Sequence, residues 1–255
     1  MVYSSDQITE MSESYFECID QLQVLMLKYV ERKYATERGR EFAVHGFARR
    51  IKTIEHGLRD VFELIPPENA KPEARTLNRA NAIIHSVVIN VFGSLENLAY
   101  LWVHENKILD SKTGSVLSGP KVGLGKRQRA LRRSFPSEVR DYIVAMQPWY
   151  DYLADYRHAL AHRIPPYLVP MTLNKTETEI WKNIDKSKTE KIANHEWDEY
   201  ERLCREQDEI GTYSPLMMHS YIENAQPIFF HPQIICDALT INEIGLLFLK
   251  YLPRR

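Results

Sequence analysis

Asp-Tyr-Arg-His-Ala-Leu-Ala-His-Arg-Ile-Pro-Pro-Tyr, residues Asp155 to Tyr167, sets ionisable side chains on a helix and then stops that helix abruptly. Pro165 and Pro166 have no N–H to continue the hydrogen-bond ladder and crowd the turn before them. Pro148 suits a first turn, where a missing N–H costs nothing, so the spacing predicts a helix from about Pro148 to His162, roughly four turns long. At about 100° per residue, Trp149, Leu153, Tyr156 and Leu160 share one stripe, which is the core side. Asp155, His158 and His162 gather on the opposite side. Ala154, Ala159 and Ala161 flank that polar stripe, small enough for another backbone to approach closely.

Outward from this helix the pattern stays helical. Ile8, Met11, Tyr15, Ile19, Leu22, Met26 and Tyr29 recur at three- and four-residue steps, and Phe47, Ile51, Ile54, Leu58, Val61 and Ile65 repeat the pattern before Pro66 and Pro67 end it. A third helix is expected after Pro72, running to about Lys107. Its apolar positions (Ile83, Ile84, Val87, Val88, Val91, Phe92, Leu95, Leu98) cover more than half its circumference, which makes it the central helix. Ser111 to Ser137, with Gly114, Gly119, Pro120, Gly123 and Gly125, reads as a long loop ending in a short helix, followed by a helix from Glu138 to Met146.

Beyond Tyr167 the signals thin out. Thr176 to Ile184 is expected to make one or two turns, and Asn194 to cap a helix through Arg205. Met217 to Tyr221 and Pro227 to His231 are expected to pair as a β-hairpin with Glu223 to Gln226 in its turn, and Thr240 to Leu252 closes the chain as a helix. The fold class expected is all-α: a helical bundle with a small α+β hairpin insertion before the C-terminal helix. One domain spans residues 1–255, with the accessory insertion at about 167–233.

Composition narrows the setting. The formal net charge is -1, so the chain as a whole is no polyanion binder, and 44% apolar residues suffice for a sizeable core. Three widely spaced cysteines, Cys18, Cys204 and Cys236, fit a reducing compartment better than a disulfide framework. Asp6 and Glu10 interrupt the N-terminus before any apolar run, which argues against a signal peptide. The most apolar stretch, Ala82 to Leu95, carries His85 and Asn90 and is too short to span a bilayer. A soluble cytoplasmic protein with no membrane association is expected.

Charge is uneven locally. Ser111 to Ser137 holds Lys112, Lys121, Lys126, Arg127, Arg129, Arg132 and Arg133 and no acidic residue, a run suited to tracking a phosphate backbone; Lys121, Lys126, Arg127, Arg129 and Arg132 are the candidate RNA-binding residues. The alternative is a solvated loop with a basic helix start. Gly119 to Arg127 is not a Walker A loop, because the spacing is one residue off and Arg127 stands where Ser or Thr is needed. Glu196 to Glu209 is the acidic counterpart, read as a solvated helix face.

Arg157 and His162, separated by four residues just before a helix end, resemble the Arg-x4-6-His motif of the HEPN superfamily. Ser94-Leu95-Glu96-Asn97-Leu98-Ala99 is similar to the polar-apolar run such domains carry on an inner helix. The resemblance spans residues 1–166 and the last helix. It implies an all-α domain acting as a metal-independent endoribonuclease and a homodimer, with a toxin or antiviral defence role and an antitoxin protein as partner. No cofactor and no metal is implied. Arg157 and His162 would be catalytic, and His158 occupies the position after Arg where many members carry Asn or Asp.

Cleavage of RNA without a metal needs a base for the 2′-hydroxyl proton, which histidine suits, and a cation for the charge on the phosphate, which arginine suits. Five residues apart on a straight helix, the two side chains point about 140° apart. Either the last turn loosens at Arg163 to Pro166, or two subunits combine their pairs. Other readings stand beside this one. Arg157 and His162 could cap the helix C-terminus. Asp155, His158 and His162, with Glu96 or His104 as a fourth ligand, could hold a metal. The whole bundle could be a non-catalytic module that binds RNA, nucleotide or protein.

Overall fold

The computed structural model describes residues 3–220, 222–223 and 226–253. Helix α1 (Ser5–Glu31) opens on a reciprocal cap: the Ser4 hydroxyl accepts from the Gln7 N–H, and the Gln7 side chain accepts from the Ser4 N–H. Thr36 caps α2 (Glu37–Arg40), which passes without a break through a π-helical stretch, Glu41–Ala48, into α3 (Arg49–Leu64). Helix α4 (Ala74–Glu105) is the central helix, packed against α2, the π stretch and α3. Its last residue, Glu105, is buried and accepts hydrogen bonds from the backbone of Ala35 and Thr36 and from the Thr36 hydroxyl. The connection from α1 to α2 is thereby tied to the end of α4.

A long loop with one 3-10 turn at Gly119–Lys121 leads into α5 (Arg129–Arg133), α6 (Ser137–Ala145) and α7 (Gln147–His162). Leu153 and Tyr156 are buried as the stripe requires, while Trp149 and Leu160 are half-buried at its edges. Ala159, expected beside the polar stripe, is buried too.

The insertion holds more helix than its sequence announces. It comprises β1 (Tyr167–Leu168), α8 (Lys175–Ala193), α9 (Trp197–Asp208), β2 (Leu216–Met218) and β3 (Ile228–Phe229), followed by α10 (Phe230–Tyr251). The strands form one antiparallel sheet in the order β1-β2-β3, with Leu168 opposite Met217 and Met217 opposite Ile228. The expected turns at Thr176 to Ile184 are the first half of a 19-residue helix capped by Asn174 and Glu177. Asn194 ends that helix rather than starting the next, because its N–H bonds back to Glu190 and His195 follows with φ 58°. The hairpin pairs as expected, but its turn residues Asn224 and Ala225, and Tyr221, lie outside the described residues. His231 belongs to α10, which begins ten residues before Thr240 with Phe230, Ile234, Ile235 and Ala238 buried at helical spacing.

Helix α10 packs on α1, α3 and α4. By length and composition α4 and α10 are each long and apolar enough to cross a membrane, so the expectation drawn from the shorter stretch Ala82 to Leu95 does not hold for the helix that contains it. About half of each apolar window is buried inside the bundle.

Candidate active site and basic surface

Helix α7 remains regular to His162, so no loosened turn brings Arg157 and His162 together within one chain. The histidines are the pair that meets: His158 and His162 are exposed, with ring centroids 6.2 Å apart. Arg157 lies on the α4 side, half-buried, its guanidinium 5.4 Å from the centre of the Phe92 ring. No carboxylate among the described residues pairs with it. Partial desolvation, and then the positive charges of Arg157, His162 and Arg163, hold the His158 pKa below the usual histidine value. A histidine so placed is neutral at pH 7 and free to take a proton.

Among the described residues neither Arg157 nor His162 bonds a carbonyl at the end of α7, and the residue that braces this helix is Arg163. Arg163 donates to the Asp155 carbonyl oxygen at 3.1 Å and to the Asp155 carboxylate at 2.5 Å. Its other arm reaches Glu223 at 2.8 Å. His219, buried on β2's outgoing end, bonds the second Asp155 oxygen through Nε2 at 2.8 Å, and its Nδ1 lies 3.7 Å from Glu223. Burial alone would raise the Asp155 pKa, but the hydrogen bonds from Arg163 and His219 together outweigh it and hold the carboxyl below its ordinary value.

Asp155 is thus committed to Arg163 and His219 and knits the end of α7 to the sheet. That removes it from the three-ligand arrangement expected at this face. His104, a possible fourth ligand, is stacked on Phe42 with ring centroids 5.5 Å apart. Among the described residues no group of three or more His, Cys, Asp or Glu is arranged to hold a metal ion. His219 gives no sequence signal, being a single histidine in a short strand-like run whose partner lies 64 residues away.

The basic run is only partly assembled. Lys126, Arg129 and Arg132 line one cavity of about 220 Å³ with Arg133 and with Arg140, which α6 contributes from outside the run. Arg127 is exposed and does not line it, and Lys121 is held by Asp110 instead. Folding also brings acid to a stretch that has none in sequence: Asp110 to Lys121, and Asp151 to Lys126 at 2.8 Å. Arg132 donates to Gln147 at 3.4 Å.

Tyr150 joins this surface to Arg157. Its ring packs 5.9 Å from Phe92, which carries Arg157 on another approach. Burial, and then the charges of Glu96 and Asp151, raise the Tyr150 pKa, and the charges of Arg132 and Arg157 oppose that rise. Sequence reasoning missed Tyr150 and Arg140 because each reaches its neighbours only through the packing of α7 and α6. Set against protein-family models, curated protein sequences and solved structures, the chain matches none.

Proposed function

We propose that the protein is a metal-independent endoribonuclease of HEPN type, with RNA lying across α7 and the cavity formed by Lys126, Arg129, Arg132, Arg133 and Arg140. The observation that carries this reading is that α7, which bears Arg157 and the exposed His158–His162 pair, also holds a wall of the basic cavity, its Asp151 pairing with Lys126 at 2.8 Å. The basic residues hold phosphates and Arg157 stabilises the charge that builds on the reacting one. His158 takes the proton of the 2′-hydroxyl as that oxygen attacks phosphorus. His162, when protonated, gives a proton to the departing 5′-oxygen, leaving a 2′,3′-cyclic phosphate and a 5′-hydroxyl.

Because Arg157 and His162 diverge on α7, the reading places the working enzyme as a homodimer whose two α7 faces meet. The toxin or antiviral role, the antitoxin partner and the cytoplasmic setting implied by the HEPN resemblance belong to the same proposal. The second reading, a non-catalytic RNA-binding module, is favoured by the anchoring of Arg157 on Phe92.

The test is incubation of purified protein with total RNA, with and without chelator, alongside Arg157→Ala, His158→Ala and His162→Ala. Cleavage is expected to persist in chelator and to fall about a hundredfold or more in each variant. Melting temperatures should stay close to the parent, since neither Arg157 nor His162 caps the helix. An inert parent protein that still retains RNA would leave the binding module.

A further inference from the structure

A second charged cavity, of about 350 Å³, opens where the π-helical stretch crosses α4, and Arg38, His45, Arg49, Arg50, Asn90 and Asn97 line it. The π geometry assembles it: with hydrogen bonds from i to i+5, residues four and five apart fall on one side, and His45, Arg49 and Arg50 have that spacing. Glu41 on the same rim is taken up by Arg38 at 2.5 Å. Arg49 forms no ion pair with any described residue.

Arg50 is held by neutral groups. Its Nε donates to Asn97 Oδ1 at 2.9 Å and its Nη1 to Asn90 Oδ1 at 3.0 Å, so the guanidinium is oriented while its charge stays uncancelled. Two glycines make room for this arrangement. A Cβ at Gly93 would stand 2.4 Å from the Arg50 guanidinium carbon, and one at Gly46 would stand 2.9 Å from the Asn97 amide.

We propose that this cavity binds the phosphate group of a small ligand, either inorganic phosphate or a mononucleotide, at a site separate from the α7 face. The oriented Arg50 fork and Arg49 from α3, with His45 from the π stretch beside them, suit a tetrahedral dianion, which offers acceptors in several directions, better than a planar carboxylate, which one fork satisfies. The volume is at the small end for ligand sites. A nucleic-acid strand fits the wall less well. Phe42 is already engaged with Tyr100 at 4.7 Å, His104 at 5.5 Å and Arg38 at 4.8 Å, so it is not spare for the base stacking on which single-strand binding relies.

The proposal is tested by calorimetric titration of the full chain with inorganic phosphate and with 5′-AMP, neither of which requires cleavage activity as a readout. Saturable binding at millimolar ligand or below is expected. Arg50→Gln should weaken it about tenfold or more, and the double variant Asn90→Ala/Asn97→Ala, which keeps the charge but loses its orientation, several-fold. Arg129→Ala/Arg132→Ala, in the other basic cavity, should leave the component that Arg50→Gln removes unchanged. Should Arg50→Gln fail to fold, Arg49→Gln serves in its place, because Arg49 is exposed and in no ion pair among the described residues. Tighter binding of 5′-AMP than of phosphate identifies a nucleotide site, and equal binding a site for free phosphate. No saturable binding of either probe overturns the proposal, as does binding lost with Arg129 and Arg132 but kept without Arg50. The same holds if Arg50→Gln weakens RNA retention alone.

Discussion

At position 93 a hydrogen occupies the place where any other residue would set a Cβ against the Arg50 guanidinium, 2.4 Å from its carbon. No real contact is that short, so Gly93→Ala must push Arg50 away from Asn90 and Asn97. In a plain mid-helix position the same change would stabilise by about 0.5–1 kcal/mol. Here it also sacrifices one of the two hydrogen bonds made by a charged donor, worth about 1.5–3 kcal/mol, so the sign reverses. We expect Gly93→Ala to lower stability by about 1–2 kcal/mol in urea unfolding, and a gain would show that Arg50 moves aside freely. Lysines divide in the same way. Lys126 faces the shared basic cavity, whereas Lys121 is held by Asp110. Replacing Lys126, Arg129 and Arg132 by Ala should flatten the salt dependence of RNA binding on every sequence alike, because phosphate contacts carry no base information. Lys121→Ala should leave the slope where it was. Equal slopes for all the proteins would detach the basic cavity from RNA.

Among the elements, α8 and α9 stand apart: they pack on each other, with Lys188 reaching Gln207 at 2.7 Å, and make few contacts with the bundle. Thr172 and Thr212 close their base through two backbone hydrogen bonds of 2.8 and 3.0 Å. Because those ends already touch, residues 173–211 can be replaced by a short glycine linker without stretching the sheet. The shortened chain should unfold within a few degrees of the parent, and a collapse of the melting transition would show that the helical pair supports the core. The same isolation hides α8 in the sequence. Only Ile184 is buried along it, so the apolar period that marks α1, α3 and α4 never develops, and its start is marked by the capping box of Asn174 and Glu177. The first half of α10 is masked for another reason. Phe229 and Phe230 continue a β-branched and aromatic run, and packing of Phe230, Ile234 and Ile235 on the bundle overrides that local preference. At the candidate site, the helix limits and the polar face of α7 were legible in order along the chain. The engagement of Asp155 by His219 and the joining of Arg140 to the basic run depend on contacts between distant segments, which spacing does not encode.

Over the whole molecule, α10 buries two titratable groups whose effects on stability oppose each other. His231 donates from Nε2 to the Ile65 carbonyl at 2.6 Å, with the Tyr3 hydroxyl 3.4 Å from Nδ1, and burial lowers its pKa to about 4 although the Ile65 bond works against that fall. Asp237 accepts from Trp149 and Gln233, each at 2.8 Å, yet burial outweighs both and raises its pKa to about 6. Between about pH 4 and 6.5 the unfolded chain protonates His231 while the native chain refuses the proton, so this group's contribution is full above the free histidine value and is lost as pH falls. Between about pH 4 and 6 the native chain keeps a proton on Asp237 that the unfolded chain has released, so that contribution is full at low pH and is lost as pH rises. Each amounts to about 3 kcal/mol over its window, and the two nearly cancel. Asp237→Asn should therefore expose a stability that climbs from pH 4 to 6.5. His231→Gln, whose amide can still reach the Ile65 carbonyl, should expose one that declines over the same range. Urea unfolding of the three proteins at half-unit pH steps reads the difference in slope directly, since every other titrating group contributes equally to all of them. Parallel slopes would mean that neither α10 group titrates abnormally and that water reaches both.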